Sequence, residues 1–198
     1  MQIDYDLARR SDVVVRVAGS LAHVYFNVTP AQMDVSEIAI LYPDLLSALR
    51  IHRGFGLVLG REQGRAVCIT ARGVQRLDSP RLADTLPHLG DPGAELLQID
   101  RLVRFPHSGD LVLLGNWYAD GSVVGFEEHV ATHGGLGGPQ DYPFFITAPG
   151  VDWDLAGVTN ATQLHDFFVR WYGDAATRAA RGRGAAATGE PNLSQQPS

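Results

Sequence analysis

Leu111-Val112-Leu113-Leu114-Gly115-Asn116-Trp117-Tyr118 carries four aliphatic side chains in succession with no charge among them. That pattern predicts a strand buried on both faces, and two-sided burial is typical of parallel pairing under flanking helices. On its N-terminal side, Asp91-Pro92 offers a capping acid before a proline suited to the first helical turn. Leu96, Leu97, Ile99, Leu102 and Val103 then continue an apolar helical stripe to about Phe105. On the C-terminal side a glycine-dense segment runs from Gly121 to Gln140, and Pro143 to Thr147 (PFFIT) predicts a further strand.

Farther out, Asp12 to Val17 and Leu21 to Val28 predict two strands joined at Ala18-Gly19-Ser20. Asp34-Val35-Ser36-Glu37 opens a helix through Ile38, Leu41, Leu45, Leu46 and Leu49, which Pro43 kinks or splits. Phe55 to Leu59, Ala66 to Thr70 and Gly73 to Leu77 predict a small meander, and residues 78 to 92 a loop. Asn160-x-x-Gln163 opens a last helix through Phe167, Phe168 and Trp171 to near Gly173. The expected fold class is α/β, with a mixed, partly parallel sheet flanked by helices. Residues 1–173 are expected to form one domain, followed by a disordered tail over 174–198 rich in Ala, Gly, Arg, Ser, Gln and Pro.

Composition removes several functions. All 16 cationic side chains are arginine, so a P-loop lysine, a Schiff-base lysine and a lysine general base are absent. The net charge of -6 argues against a nucleic-acid partner, which needs a concentrated positive face. The single cysteine, Cys68, lies in an apolar run and reads as a buried structural thiol. His23, within a strand, and His52, at a helix end, read as structural too. No apolar h-region follows Met1 and no run of about 18 apolar residues occurs, so the expectation is a cytoplasmic chain with no membrane span. No GxSxG elbow surrounds any serine, and Gly54 to Gly60 reads as a strand with glycine ends, not a dinucleotide loop.

The candidate chemistry lies in Phe126-Glu127-Glu128-His129-Val130-Ala131-Thr132-His133, followed by Gly134, Gly135, Gly137 and Gly138. Imidazoles and carboxylates beside glycines allow backbone and side chains to approach an ion or phosphate closely. A helical HxxxH zinc pair is disfavoured by the glycines and by Val130, which stands where a zincin has its glutamate. His133 reads either as a single metal ligand on a loop or as a hydrogen-bonding turn residue.

Three segments occur in a recognisable order: Phe105-Pro106-His107-Ser108-Gly109-Asp110 with its following strand, Thr132-His133-Gly134-Gly135, and Tyr142-Pro143-Phe144-Phe145-Ile146-Thr147-Ala148-Pro149-Gly150. Together with Tyr42 to Leu49 and Gly54 to Leu59, they make the chain resemble the C-terminal portion of the alkaline phosphatase superfamily. The resemblance is to its phosphodiesterase and nucleotide pyrophosphatase branch, over about residues 4 to 150. It implies a metal-dependent hydrolase of phosphate esters, with two divalent metals, usually zinc, and a Thr or Ser nucleophile. It makes His133 the last histidine ligand, places Asp110 at the strand entrance, and leaves Glu127 and Glu128 as partners of a ligand or as solvated acids. The chain shows no Asp-Gly-x-Thr-like nucleophile segment and no Ser-Asp-His-Gly ligand pair. The resemblance therefore implies a protein inactive alone and completed by an N-terminal catalytic half. The alternative is a non-catalytic α/β binding or interaction module, with self-association as one expectation.

Overall fold

The computed structural model describes residues 13–83, 86, 89–129, 133, 135–146 and 154–169. The chain divides into two compact units, Met1–Ile146 and Thr147–Ser198. In the first, β1 (Val13–Ala18) and β2 (Leu21–Phe26) form a hairpin, followed by α1 (Val35–Leu41) and α2 (Leu45–Ile51). The meander β3 (Phe55–Glu62), β4 (Arg65–Thr70) and β5 (Gly73–Arg76) follows, then α3 (Pro80–Ala83), α4 (Pro92–Val103) and β6 (Leu111–Gly115). In the second unit, α5 (Ala161–Phe168) is opened by Asn160, whose side chain accepts from Thr162 N while Gln163 reaches back to the Asn160 amide. The expected end of this helix, through Trp171 to near Gly173, and the whole of the expected tail over 174–198 lie outside the described residues.

The strand order is β1-β2-β6-β3-β4-β5, and every pairing is antiparallel. The expected partly parallel sheet is thus corrected. The reason lies in where β6 is placed. β2 and β3 point the same way and are joined through two helices, as in a parallel crossover, but β6 lies between them and runs against both. The near-continuous apolar runs reflect helices on both faces of an antiparallel sheet, not parallel pairing.

Side-chain alternation sorts those faces. Leu57, Leu59, Ala66, Cys68, Val112 and Leu114 pack with Leu96, Ile99 and Val103 of α4 and with Leu82 of α3. Val58, Val67, Ile69, Leu111 and Leu113 pack on the opposite face with Val35 and Ile38 of α1 and Leu46 of α2. The helix break at Pro43 occurs as expected, and α1 is fixed by a capping box between Asp34 and Glu37. Outer strand β1 is less covered, leaving Val13, Val15 and Val17 exposed. The expected strand at Pro143 to Thr147 is not formed at residues 143–146, which are irregular, and Thr147 lies outside the described residues. A short helix, α3, occupies part of the expected loop after residue 77.

One buried polar cluster ties these layers. Asp110 accepts hydrogen bonds from Phe26 N at 2.7 Å and from Met33 N at 2.8 Å, fastening both ends of the segment between β2 and α1. Arg61 donates to Val103 O at the end of α4 and to Gly109 O, both at 3.1 Å, and stands 3.9 Å from Asp110. Burial pushes the Arg61 guanidinium down from its ordinary value, and Asp110 opposes that shift. Removing one member of a buried pair strands the other charge. Asp110→Ala should therefore lower stability by about 3–5 kcal/mol in urea unfolding; a loss below about 1 kcal/mol, the range of a solvent-exposed pair, would show that the cluster carries no such role.

Candidate functional site

The chain leaves the sheet at Gly115 and folds into a tight excursion. Trp117 bridges Val123 in antiparallel fashion, Tyr118 N bonds Ser122 O, and Val124 N returns to Asn116 O. Gly115 has no substitute here, because a Cβ on it would lie 2.0 Å from Val124 O. The excursion ends at the β1–β2 turn, where Phe126 N donates to Gly19 O and Glu127 Oε2 accepts from Gly19 N, both at 2.8 Å.

The described part of the far side of the His133 loop is fixed by a second set of contacts. Gly135 N donates to Gln140 Oε1 at 2.6 Å and Gly137 N to Asp141 Oδ1 at 2.8 Å, both acceptors lying on a 3₁₀ turn, Gly138–Asp141. Gly137 lies against the Trp117 ring, and Leu136 packs on the α4-side core. Gly135 presses on Ser20, so closely that a Cβ there would stand 1.9 Å from Ser20 Oγ. The loop is thus held at Glu127 and again at residues 135–137, with the exposed His133 side chain between the two anchorages.

The other expected participants are separated by this geometry. Glu127 is an anchor of the β1–β2 turn, and its Oε2 stands 3.9 Å from His129 Nε2. Glu128 and His129 are exposed. Asp110 is buried in the cluster beneath β6, as its place at the strand entrance suggested. Among the described residues, no group of three or more His, Cys, Asp or Glu side chains is placed to hold an ion. A lone imidazole does not make the two-metal centre implied by the resemblance, so these residues by themselves do not fit it.

Two groups behave as the sequence suggested. Burial pushes the Cys68 thiol up to about 12, so it is neither nucleophile nor ligand at neutral pH. His52 closes α2, accepting on Nδ1 from Gly54 N at 3.1 Å. His23 proves to be more than a filler. Its Nδ1 accepts from Gly109 N at 3.0 Å, linking β2 to the entrance of β6, and burial lowers its pKa below 6.5. Ser20, Gln140 and Asp141 carry the loop anchorage and were not identifiable individually from sequence. For Gln140 and Asp141 the only signal was the glycine-dense run Gly134-Gly135-Leu136-Gly137-Gly138 just before them, and for Ser20 its place in the β1–β2 turn.

Comparison of the chain with protein-family models, with curated proteins and with solved structures finds no match.

Two outcomes follow from these contacts. Because His23 is harder to protonate folded than unfolded, the unfolded chain binds more protons between the two values. Its contribution is complete above about pH 6.5, the ordinary histidine value, and is lost as pH falls through the folded-state value. Urea midpoints measured across that window should fall on acidification and fall less in His23→Gln; identical slopes would contradict the assignment. Gly135→Ala should displace the loop against Ser20 and cost about 1–3 kcal/mol, the range for overpacking. The shift should appear in the His133 side-chain NMR signals, and Ser20→Gly should relieve it; unchanged signals in Gly135→Ala would contradict the contact.

Proposed function

We propose that this chain is the C-terminal, site-closing part of a metal-dependent phosphodiesterase or phosphatase-like hydrolase acting on phosphate esters, and that it is inactive alone. The observation that carries this reading is the double anchorage of the His133 loop. Backbone and side-chain contacts fix both flanks of the loop on which His133 is exposed, which suits the presentation of a ligand better than a solvated turn. The motif order around it supplies the reaction class. The antiparallel sheet differs from the partly parallel one expected with that resemblance, so the assignment draws no support from the fold.

On this reading the divalent metals, zinc by the resemblance, would be held chiefly by residues of the completing polypeptide, with His133 as one ligand. Such ions would supply activation of a nucleophile and stabilisation of charge on the phosphoryl oxygens. The role of this chain is positional: Glu127 with Gly19 on one side, and Gln140, Asp141 and Ser20 on the other, fix where the imidazole stands. Exposed apolar groups beyond the loop, Tyr142 at 76%, Phe144 at 83% and Ile146 at 88%, supply surface for that completing polypeptide to cover.

A second reading is a non-catalytic interaction module. The exposed Val13, Val15 and Val17 of outer strand β1 favour it, because a valine-rich edge without a proline suits strand addition.

The readings separate in one experiment. The purified chain should neither bind zinc tightly nor hydrolyse bis(p-nitrophenyl) phosphate, whereas addition of the polypeptide bearing the nucleophile and remaining ligands should produce both activities. In that assembly His133→Ala should lower zinc affinity at least about 10-fold, the scale on which even supporting partners of metal ligands act. Tight zinc binding and turnover by the chain alone, or unchanged affinity in His133→Ala, would overturn the proposal.

A further inference from the structure

A second feature of the first unit carries chemistry unconnected with His133. Between the β4–β5 hairpin and α4 lies an open groove of about 510 Å³, within the range of small-ligand sites. Among the described residues, three arginines from three elements line it: Arg65 at the start of β4, Arg76 at the end of β5, and Arg104 at the C-terminal cap of α4. Its apolar lining includes the buried side chains of Leu77 and Leu96 and the exposed Leu97.

The charges in the groove are arranged to be shared. Arg76 pairs with Asp78 through two hydrogen bonds, and Arg104 Nη2 stands 2.6 Å from Asp100 Oδ2. The hydrogen bond from Arg76 is the main cause holding the Asp78 carboxyl below its ordinary value, and the charge of Arg65 adds to it. Among the described residues that line the groove, three cations against two carboxylates leave one positive charge in excess, in a chain whose net charge is -6. The Arg76–Asp78 pair is solvent-exposed and the Arg104–Asp100 pair partly so, so exchanging a carboxylate partner for a ligand oxyanion costs little. Guanidinium forks match the paired oxygens of carboxylates and phosphates.

We infer that this groove binds a small monoanion carrying an apolar body, its oxyanion received by Arg65 and Arg76 and its hydrocarbon part lying on Leu77, Leu96 and Leu97. The shared chemistry is one oxyanion group of charge -1, whether carboxylate or phosphodiester. Arg104, tied to Asp100 within its own helix, sets the far wall of the groove.

The test is titration of the full chain with dibutyl phosphate and with hexanoate, followed by calorimetry and amide NMR shifts. Inorganic phosphate and n-hexanol serve as probes of charge alone and of apolar surface alone. Saturable binding of either amphipathic anion is expected, with shifts at Arg65, Leu77 and Leu97, and with weaker response to both single-feature probes. Arg65→Ala and Arg76→Ala should each weaken it about 10-fold, the scale of one charge-assisted hydrogen bond. Both side chains are on the surface, and Leu97→Glu, also on the surface, should abolish it by placing a carboxylate beside the ligand. The anion that binds identifies which oxyanion the groove prefers. No saturable shift with either anion, or equal affinity in all three variants, would overturn the inference.

Discussion

The Arg61–Asp110 cluster is the constraint on which the layered arrangement depends. Asp110 enters β6 with its carboxylate turned onto the backbone of Phe26 and Met33, while Arg61 holds the final carbonyl of α4 and the carbonyl of Gly109. Five elements or their ends meet there: β2, the approach to α1, β3, the end of α4 and the entrance to β6. Arginine at a helix C-terminus is also favoured by the helix dipole. His23, accepting from Gly109 N, holds the same entrance from β2. These contacts fix β6 between β2 and β3, and that insertion makes the sheet antiparallel throughout.

The site inherits its geometry from that insertion. Because β6 is central, its C-terminal end emerges beside the β1–β2 turn, with Gly115 N bonded to Ser20 O. The same turn then receives Phe126 and Glu127 and presses Ser20 against Gly135. One two-residue turn, Gly19-Ser20, thus supports both flanks of the loop that presents His133. Neither α1 nor α2 takes part in those anchorages; their role is to cover one face of the sheet.

Much of the fold was legible in local pattern. The capping signals at Asp34, Asp91 and Asn160 and the break at Pro43 mark real boundaries, because caps and proline act within a few residues of themselves. The β3–β4–β5 meander is legible for the same reason, its turns being short. Strand direction was not legible. LVLLG reports only that both faces are covered, and an antiparallel strand under two helical layers satisfies that as well as a parallel one. Phe144 and Ile146 were read as strand because aromatic and β-branched residues favour extended backbone, yet they find no neighbour to pair with among the described residues. At the site, His133 and Glu127 stood out by composition, but the acceptors that hold the loop are set by tertiary approach and leave only a glycine-rich trace.

The central claim is that His133 stands on a prepared loop for a metal site finished by groups outside this chain. It is tested most directly by reading the genomic DNA upstream of the Met1 codon, in frame, together with the adjacent genes. The account predicts coding sequence for a Thr or Ser nucleophile and for the Asp and His ligands that complete the site. A stop codon close upstream, with no adjacent gene encoding those groups, would contradict it.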